Sequence, residues 1–173
     1  GDPTEGALLV ASAKAGIWKE EKEKEFSFVD EIPFDSERKK MTIVRRDKGK
    51  LTAFVKGAPD VFLADCVSIE EKGIIRKLTD EDKGNILKVN SELADQAMRV
   101  LGVAYRVLDG APDRYEAGLI EKELTFVGLL AMIDPPREEV KKAIEECKTA
   151  GIKTVMITGD HKNTAVAIAK ELG

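Results

Sequence analysis

Met41-Thr42-Ile43-Val44-Arg45-Arg46-Asp47-Lys48-Gly49-Lys50-Leu51-Thr52-Ala53-Phe54-Val55-Lys56 holds two β-rich runs, 41–46 and 51–56, joined by the short polar link 47–50. Such a pair predicts a β-hairpin. Side chains alternate across a strand, so Thr52, Phe54 and Lys56 share one face of the second run. Upstream, 26–32 alternates and predicts another strand, which Pro33 interrupts. Further upstream, Ala7, Leu8, Ala11 and Ala15 recur at helical spacing up to Gly16, behind the first-turn chemistry of Asp2-Pro3-Thr4-Glu5. The charge run 19–25 is expected to be a solvated loop. Downstream, Lys56-Gly57-Ala58-Pro59 stops the strand and starts a short helix through Val61, Phe62 and Leu63. Residues 74–78 predict a short strand, Thr79 to Asp82 open a long helix, and 100–108 alternate as a strand.

The pattern changes near residue 125. Residues 124–133 are almost continuously apolar, as expected of a strand buried on both faces. A helix over 137–149, Gly151, a strand over 152–157 and a helix from Asp160 follow. Strand, helix, strand, helix predicts a parallel, doubly wound arrangement. The expected fold is therefore α+β: an antiparallel sheet flanked by helices over residues 1–125, then an incomplete α/β piece over 126–173.

Composition narrows the function classes. With 28 Lys+Arg against 32 Asp+Glu the net charge is −4, which disfavours broad nucleic-acid binding. Cys66 and Cys147 are far apart and form no CxxC pair, so a disulfide framework is not expected and the setting reads as reducing and cytosolic. The longest apolar run, around 126–133, is too short to cross a bilayer. His161 has no ligand-like partners and no Ser/His/Asp set is visible, so neither a metal site nor a catalytic residue is assigned. The chain opens at Gly1 already inside a motif, without a start Met, and the expectation is a piece cut from a larger protein.

Individual motifs admit two readings each. Thr158-Gly159-Asp160, between an apolar run and a helix, suits a phosphoryl group at a strand's carboxyl end, or else Asp160 simply caps the helix. Asp134-Pro135-Pro136-Arg137 is a rigid turn or a hinge. Lys56 is a solvent-facing strand-end lysine, or a cation beside a ligand that Gly57 lets approach. Phe34, amid Asp35, Glu37, Arg38, Lys39 and Lys40, is a core ring or a platform for stacking a base.

Taken together and in order, Gly-Asp-Pro-Thr-Glu-Gly-Ala-Leu (1–8), Phe-Asp-Ser-Glu-Arg-Lys-Lys-Met (34–41), Phe-Val-Lys-Gly-Ala-Pro-Asp (54–60), Arg-Val-Leu-Gly-Val-Ala (99–104), Asp-Pro-Pro-Arg (134–137) and Met-Ile-Thr-Gly-Asp (156–160) resemble the P-type cation-transporting ATPases, most of all the type II, calcium-pump-like members. The resemblance covers essentially the whole chain. It implies a nucleotide-binding domain over residues 1–125 and part of a haloacid-dehalogenase-like phosphorylation domain over 126–173, on the cytoplasmic side of an integral membrane protein. It implies that Glu5 contacts the adenine amino group and Phe34 stacks on the base. Lys39 and Lys56 line the pocket, Gly57 allows close approach, Arg99 reaches the phosphates and Leu101 lies nearby. Thr158, Gly159 and Asp160 belong to the loop around the transferred phosphoryl group and Mg²⁺, and Asp134 and Arg137 to the domain-linking segment. ATP and Mg²⁺ are the implied cofactors. The implied partners are the phosphorylation, actuator and membrane domains of the parent, and the fragment is expected to be a monomer without nucleic acid. The family's Asp-Lys-Thr-Gly-Thr motif, which carries the phosphorylated aspartate, does not occur in this sequence, nor does Gly-Asp-Gly-Val-Asn-Asp. The chain alone is thus expected to be inactive. Two rivals are a soluble haloacid-dehalogenase-like phosphatase, whose nucleophilic DxDx[TV]-type Asp is not found, and a regulatory nucleotide-binding module.

Overall fold

The computed structural model describes residues 3–133, 137–157 and 162–173. By its own contacts the chain divides into two compact units, one of residues 1–87 with 101–130 and one of 88–100 with 131–173. Seven strands form one sheet: β1 (Ser27–Asp35), β2 (Lys40–Asp47), β3 (Lys50–Gly57), β4 (Cys66–Glu71), β5 (Ile74–Lys77), β6 (Arg99–Leu108) and β7 (Leu124–Met132), in the order β1-β2-β3-β6-β7-β4-β5.

The hairpin lies where its sequence pattern puts it. Asp47 pairs with Lys50, leaving Lys48 and Gly49 as a two-residue turn with φ of 45° and 86°. That is the left-handed pair a type I′ turn requires, and its twist matches the flanking strands. β3 then runs antiparallel to β6, with Gly57 opposite Gly102. The sheet is mixed rather than purely antiparallel, because β4 pairs with β7 in parallel. β4 escapes pattern reading: only Cys66 and Ile69 are buried along it, three apart across a register shift.

Leu51, Ala53 and Val55 turn one face of β3 into the core. Val55 joins Phe62, Leu63, Cys66, Ile69, Leu78, Ala104, Leu124 and Phe126, while Leu51 and Ala53 join Ile32, Val44 and Ile120. Each Val, Leu, Ile or Phe among them contributes about 1.5–3 kcal/mol by leaving water. The opposite face, with Thr52, Phe54 and Lys56, stays half-open. Gly102 is committed to the core: a Cβ there would meet the fully buried Phe62 ring at 2.0 Å.

Four further expectations are corrected. Residues 19–25 form a helix, α2 (Lys19–Glu25), following α1 (Pro3–Lys14). It is held by Lys19–Glu23 and Lys22–Glu25 pairs on its surface. Pro33 does not end β1: that strand lies at the sheet edge, where a missing N–H costs no ladder bond, and a register shift between Ile32 and Asp35 absorbs it. β7 is not buried on both faces, since Leu124 and Phe126 are in the core while Val127 is 49% exposed. Residues 152–157 form no strand, and Ile157 is 94% exposed. A parallel strand needs neighbours on its edges to satisfy its backbone, and among the described residues this segment has none.

The short helices α3 (Pro59–Phe62) and α5 (Ala117–Ile120) link strands within the sheet's unit. The long helix α4 (Asp80–Asp95) starts on a reciprocal cap. The Asp82 N–H donates to Thr79 Oγ1 at 3.2 Å, and the Thr79 N–H donates to Asp82 Oδ2 at 2.9 Å. Arg76 of β5 clamps the same carboxylate at 2.6 and 2.8 Å. In the second unit lie helices α6 (Glu138–Thr149) and α7 (Lys162–Leu172).

Candidate functional site

Two segments far apart in sequence meet on the open face of β3. Lys56, between Met41 of β2 and Val103 of β6, donates from its ammonium to the Glu5 carboxylate in the first turn of α1. Alternation along β3 puts Lys56 on this face, and the acid lies at the helix end where the dipole favours negative charge. Glu5 and Lys56, both singled out from the sequence, are thus one ion pair.

Lys39 and Gly57 are also brought together. Asp35 Oδ1 accepts the N–H groups of Glu37 and Arg38 at 3.0 and 2.8 Å, and the Asp35 carbonyl accepts the Lys39 N–H at 2.7 Å. The Arg38 N–H, with help from that of Glu37, holds the Asp35 carboxyl below the usual carboxylate range. The turn ends with Lys39 in the left-handed region at φ 49°, and the Lys39 carbonyl accepts the Ala58 N–H at 3.0 Å. This docking needs Gly57, because a Cβ there would stand 2.6 Å from the Lys39 oxygen. The chain comes close to Gly57 from its own turn.

Phe34, at the end of the edge strand, is 64% exposed, and Lys39 is exposed as well. Leu101 is half-buried in β6, next to the Gly102 that faces Gly57. Arg99 opens β6 and belongs to the second compact unit. Arg137 precedes α6 in extended geometry, its side chain making no cap bond. Asp134, Thr158, Gly159 and Asp160 lie outside the described residues.

Sequence reading missed two features. A cleft of about 340 Å³ is lined by Lys19, Lys22, Glu23, Phe26, Arg45 and Phe54, where the Phe26 and Phe54 rings meet edge to face at 6.3 Å. Phe34 does not line it. The second is Glu121, buried just after α5, which receives Arg38 from 83 positions away. No local pattern marks an acid whose partner is that remote. The buried Cys66 thiol is pushed up to about 12 by burial, so it offers no ready nucleophile. Among the described residues no three His, Cys, Asp or Glu side chains converge to hold a metal ion.

A family model described as P-type ATPase, cytoplasmic domain N, matches residues 1–139, and the chain belongs to that family. Over 173 residues it is 47% identical to calcium-transporting ATPase 1 of Bacillus cereus, covering all of this chain and 19% of that protein. Over 175 residues it is 49% identical to a calcium-transporting ATPase of Bacillus subtilis, covering 99% of this chain and 19% of that protein. A sodium/potassium exporting P-type ATPase of Schizosaccharomyces pombe is 41% identical over 177 residues, covering all of this chain and 17% of its own length. The chain spans about a fifth of the length of these relatives. No described helix is long and apolar enough to cross a membrane.

Proposed function

We propose that this chain binds ATP on the open face of its sheet and is the nucleotide-handling portion of a membrane cation pump. The observation that carries the reading is the meeting of Glu5 with Lys56 on that face, beside a turn that leaves Phe34 and Lys39 exposed. In a chain of this family, an aromatic ring and two lysines near one strand end suit a purine with a phosphate tail: the ring stacks on the base and the ammonium groups meet the phosphates. Glu5 accepts from the adenine amino group, Gly57 keeps the strand end close to the 35–39 turn, and Arg99 and Leu101 complete the phosphate and apolar contacts. The work is positioning and charge compensation rather than bond breaking.

In this reading residues 1–125 are the nucleotide-binding domain and 126–173 part of a haloacid-dehalogenase-like phosphorylation domain. Thr158, Gly159 and Asp160 hold the transferred phosphoryl group, Asp134 and Arg137 form the link, and Mg²⁺ arrives with the nucleotide. The parent passes the γ-phosphate to an aspartate of its own and couples that step to cation transport, with calcium the favoured ion because calcium-transporting ATPases are among the relatives.

The test is a titration of the chain with ATP followed by amide shifts. The expected Kd is about 0.1–1 mM, or roughly −4 to −5.5 kcal/mol, as suits a pocket from one domain. Shifts at Phe34 and Lys56 support the reading, and none at several millimolar ATP defeats it. With γ-radiolabelled ATP and an acid quench the chain should give no labelled band, since its sequence holds no Asp-Lys-Thr-Gly-Thr acceptor motif. A stoichiometric acid-stable band would refute the inactivity of the fragment.

A further inference from the structure

We infer that Glu121 is a positioning residue for the nucleotide: it touches neither base nor phosphate but fixes the turn that presents Phe34 and Lys39. The inference rests on the ATP-binding reading above.

The Glu121 side chain is 2% exposed. Arg38 Nη1 donates to both of its oxygens, at 2.7 and 2.6 Å, and Thr42 Oγ1 donates to Oε1 at 2.8 Å. Lys40 Nζ stands 3.8 Å from Oε2 and donates to Asp65 at 2.5 Å. Arg38 Nη2 also donates to the Pro33 carbonyl at 2.8 Å, immediately before Phe34. Two cations therefore face three carboxylates, Glu121, Asp65 and, 3.9 Å from Arg38 Nε, Asp35, and no buried side-chain nitrogen or oxygen among the described residues is left without a partner.

A buried ion network of this kind is weak evidence for net stability, because desolvation offsets most of the attraction. What it does define is geometry. Arg38 and Lys40 flank Lys39 and are both drawn to Glu121, so Lys39 between them is left exposed, with its carbonyl on the Ala58 N–H. The bond to the Pro33 carbonyl sets the backbone on the other side of Phe34. Asp65 follows the helix that begins after Gly57-Ala58, so the network ties the turn to the strand end carrying Lys56 as well. With Glu121 neutral, Lys40 keeps Asp65, and of its acidic partners Arg38 keeps only the longer contact to Asp35, 3.9 Å from Nε, so the side-chain anchor that holds Arg38 beneath the turn is lost and the turn loosens.

Glu121→Gln keeps the shape and removes the charge. The measurements are amide-shift titrations with ATP and with adenosine, amide shifts of residues 34–40 without ligand, and thermal melting. The expected result is a loss of about tenfold in affinity for both ligands, the scale of a small misplacement of binding groups, with ligand-free shifts concentrated at 35–40. Should that variant not fold, Arg38→Lys keeps the charge and loses the forked contact, and a smaller loss in the same direction is expected. Either variant melting lower yet binding ATP like the parent chain would overturn the inference and leave the network purely structural. If the unsubstituted chain binds neither ligand, the ATP reading fails and this inference with it; if it binds and Glu121→Gln binds equally well, only the inference fails.

Discussion

The Lys39 carbonyl oxygen lies where it would be 2.6 Å from a Cβ on Gly57, a distance no real side chain sustains. Gly57→Ala therefore has to separate the 35–39 turn from the end of β3 and break the bond from Ala58. A loss of about 1–3 kcal/mol in stability is expected, the usual cost of overpacking a close contact. Chemical denaturation measures it, and the same variant should bind ATP more weakly. Unchanged stability would show that the turn can retreat freely.

Phe34→Ala should separate binding from folding. The ring is 64% exposed, so little core is lost, and melting should change slightly. ATP affinity should fall by about 1–3 kcal/mol, the range for a base–aromatic stack. Phe54→Ala, in the cleft with Phe26, is the contrast and should leave ATP affinity near that of the parent chain. A large drop in melting temperature with normal ATP binding for Phe34→Ala would make Phe34 a structural residue.

Lys56→Ala should weaken ATP more than adenosine, because the lost contact is charge-assisted and directed at phosphate. It also releases Glu5 from its ion pair, so binding of the adenosine moiety should persist. Equal losses for the two ligands would count against a phosphate role.

Asp82 makes α4 sensitive to acid. Arg76 first, and then the bonds from Thr79, hold its carboxyl well below the usual range. A depressed native value means that its contribution is fully present above the ordinary carboxylate value near 4 and is lost as pH falls below that toward the native value. Asp82→Asn should therefore cost a constant amount of stability between about pH 5 and 7, and the gap to the parent chain should narrow below about pH 4. Denaturant midpoints across that range measure it, and a gap that widens on acidification would contradict the sign.

Ala97 ends the turn after α4 at φ 63°, a conformation that suits glycine, and α1 has Gly16 in the corresponding place at φ 73°. Ala97→Gly should stabilise by about 0.5–1 kcal/mol, the left-handed penalty of alanine less the extra chain entropy of glycine. A melting temperature that falls would refute it.

Elements whose signals are local could be read from residue order alone. The 41–56 hairpin follows from two alternating runs and a Lys-Gly turn, α1 from its helical spacing, and the strand-ending role of Lys56-Gly57-Ala58-Pro59 from its backbone chemistry. The ordered set of short motifs was enough for the family, because each depends only on residue type and spacing. What needed the tertiary structure was everything resting on distant partners. β4 is laddered to its neighbour β5 but takes its place inside the sheet through the parallel ladder with β7, and the charge run 19–25 became a helix beside Phe26 and Arg45. Residues 152–157 look like a strand by composition but form none, because an apolar run becomes a strand only beside another one. The pairing of Glu5 with Lys56 and the burial of Glu121 under Arg38 were likewise decided by the fold, since charge–charge recognition between residues 51 and 83 positions apart leaves no periodic mark in the chain.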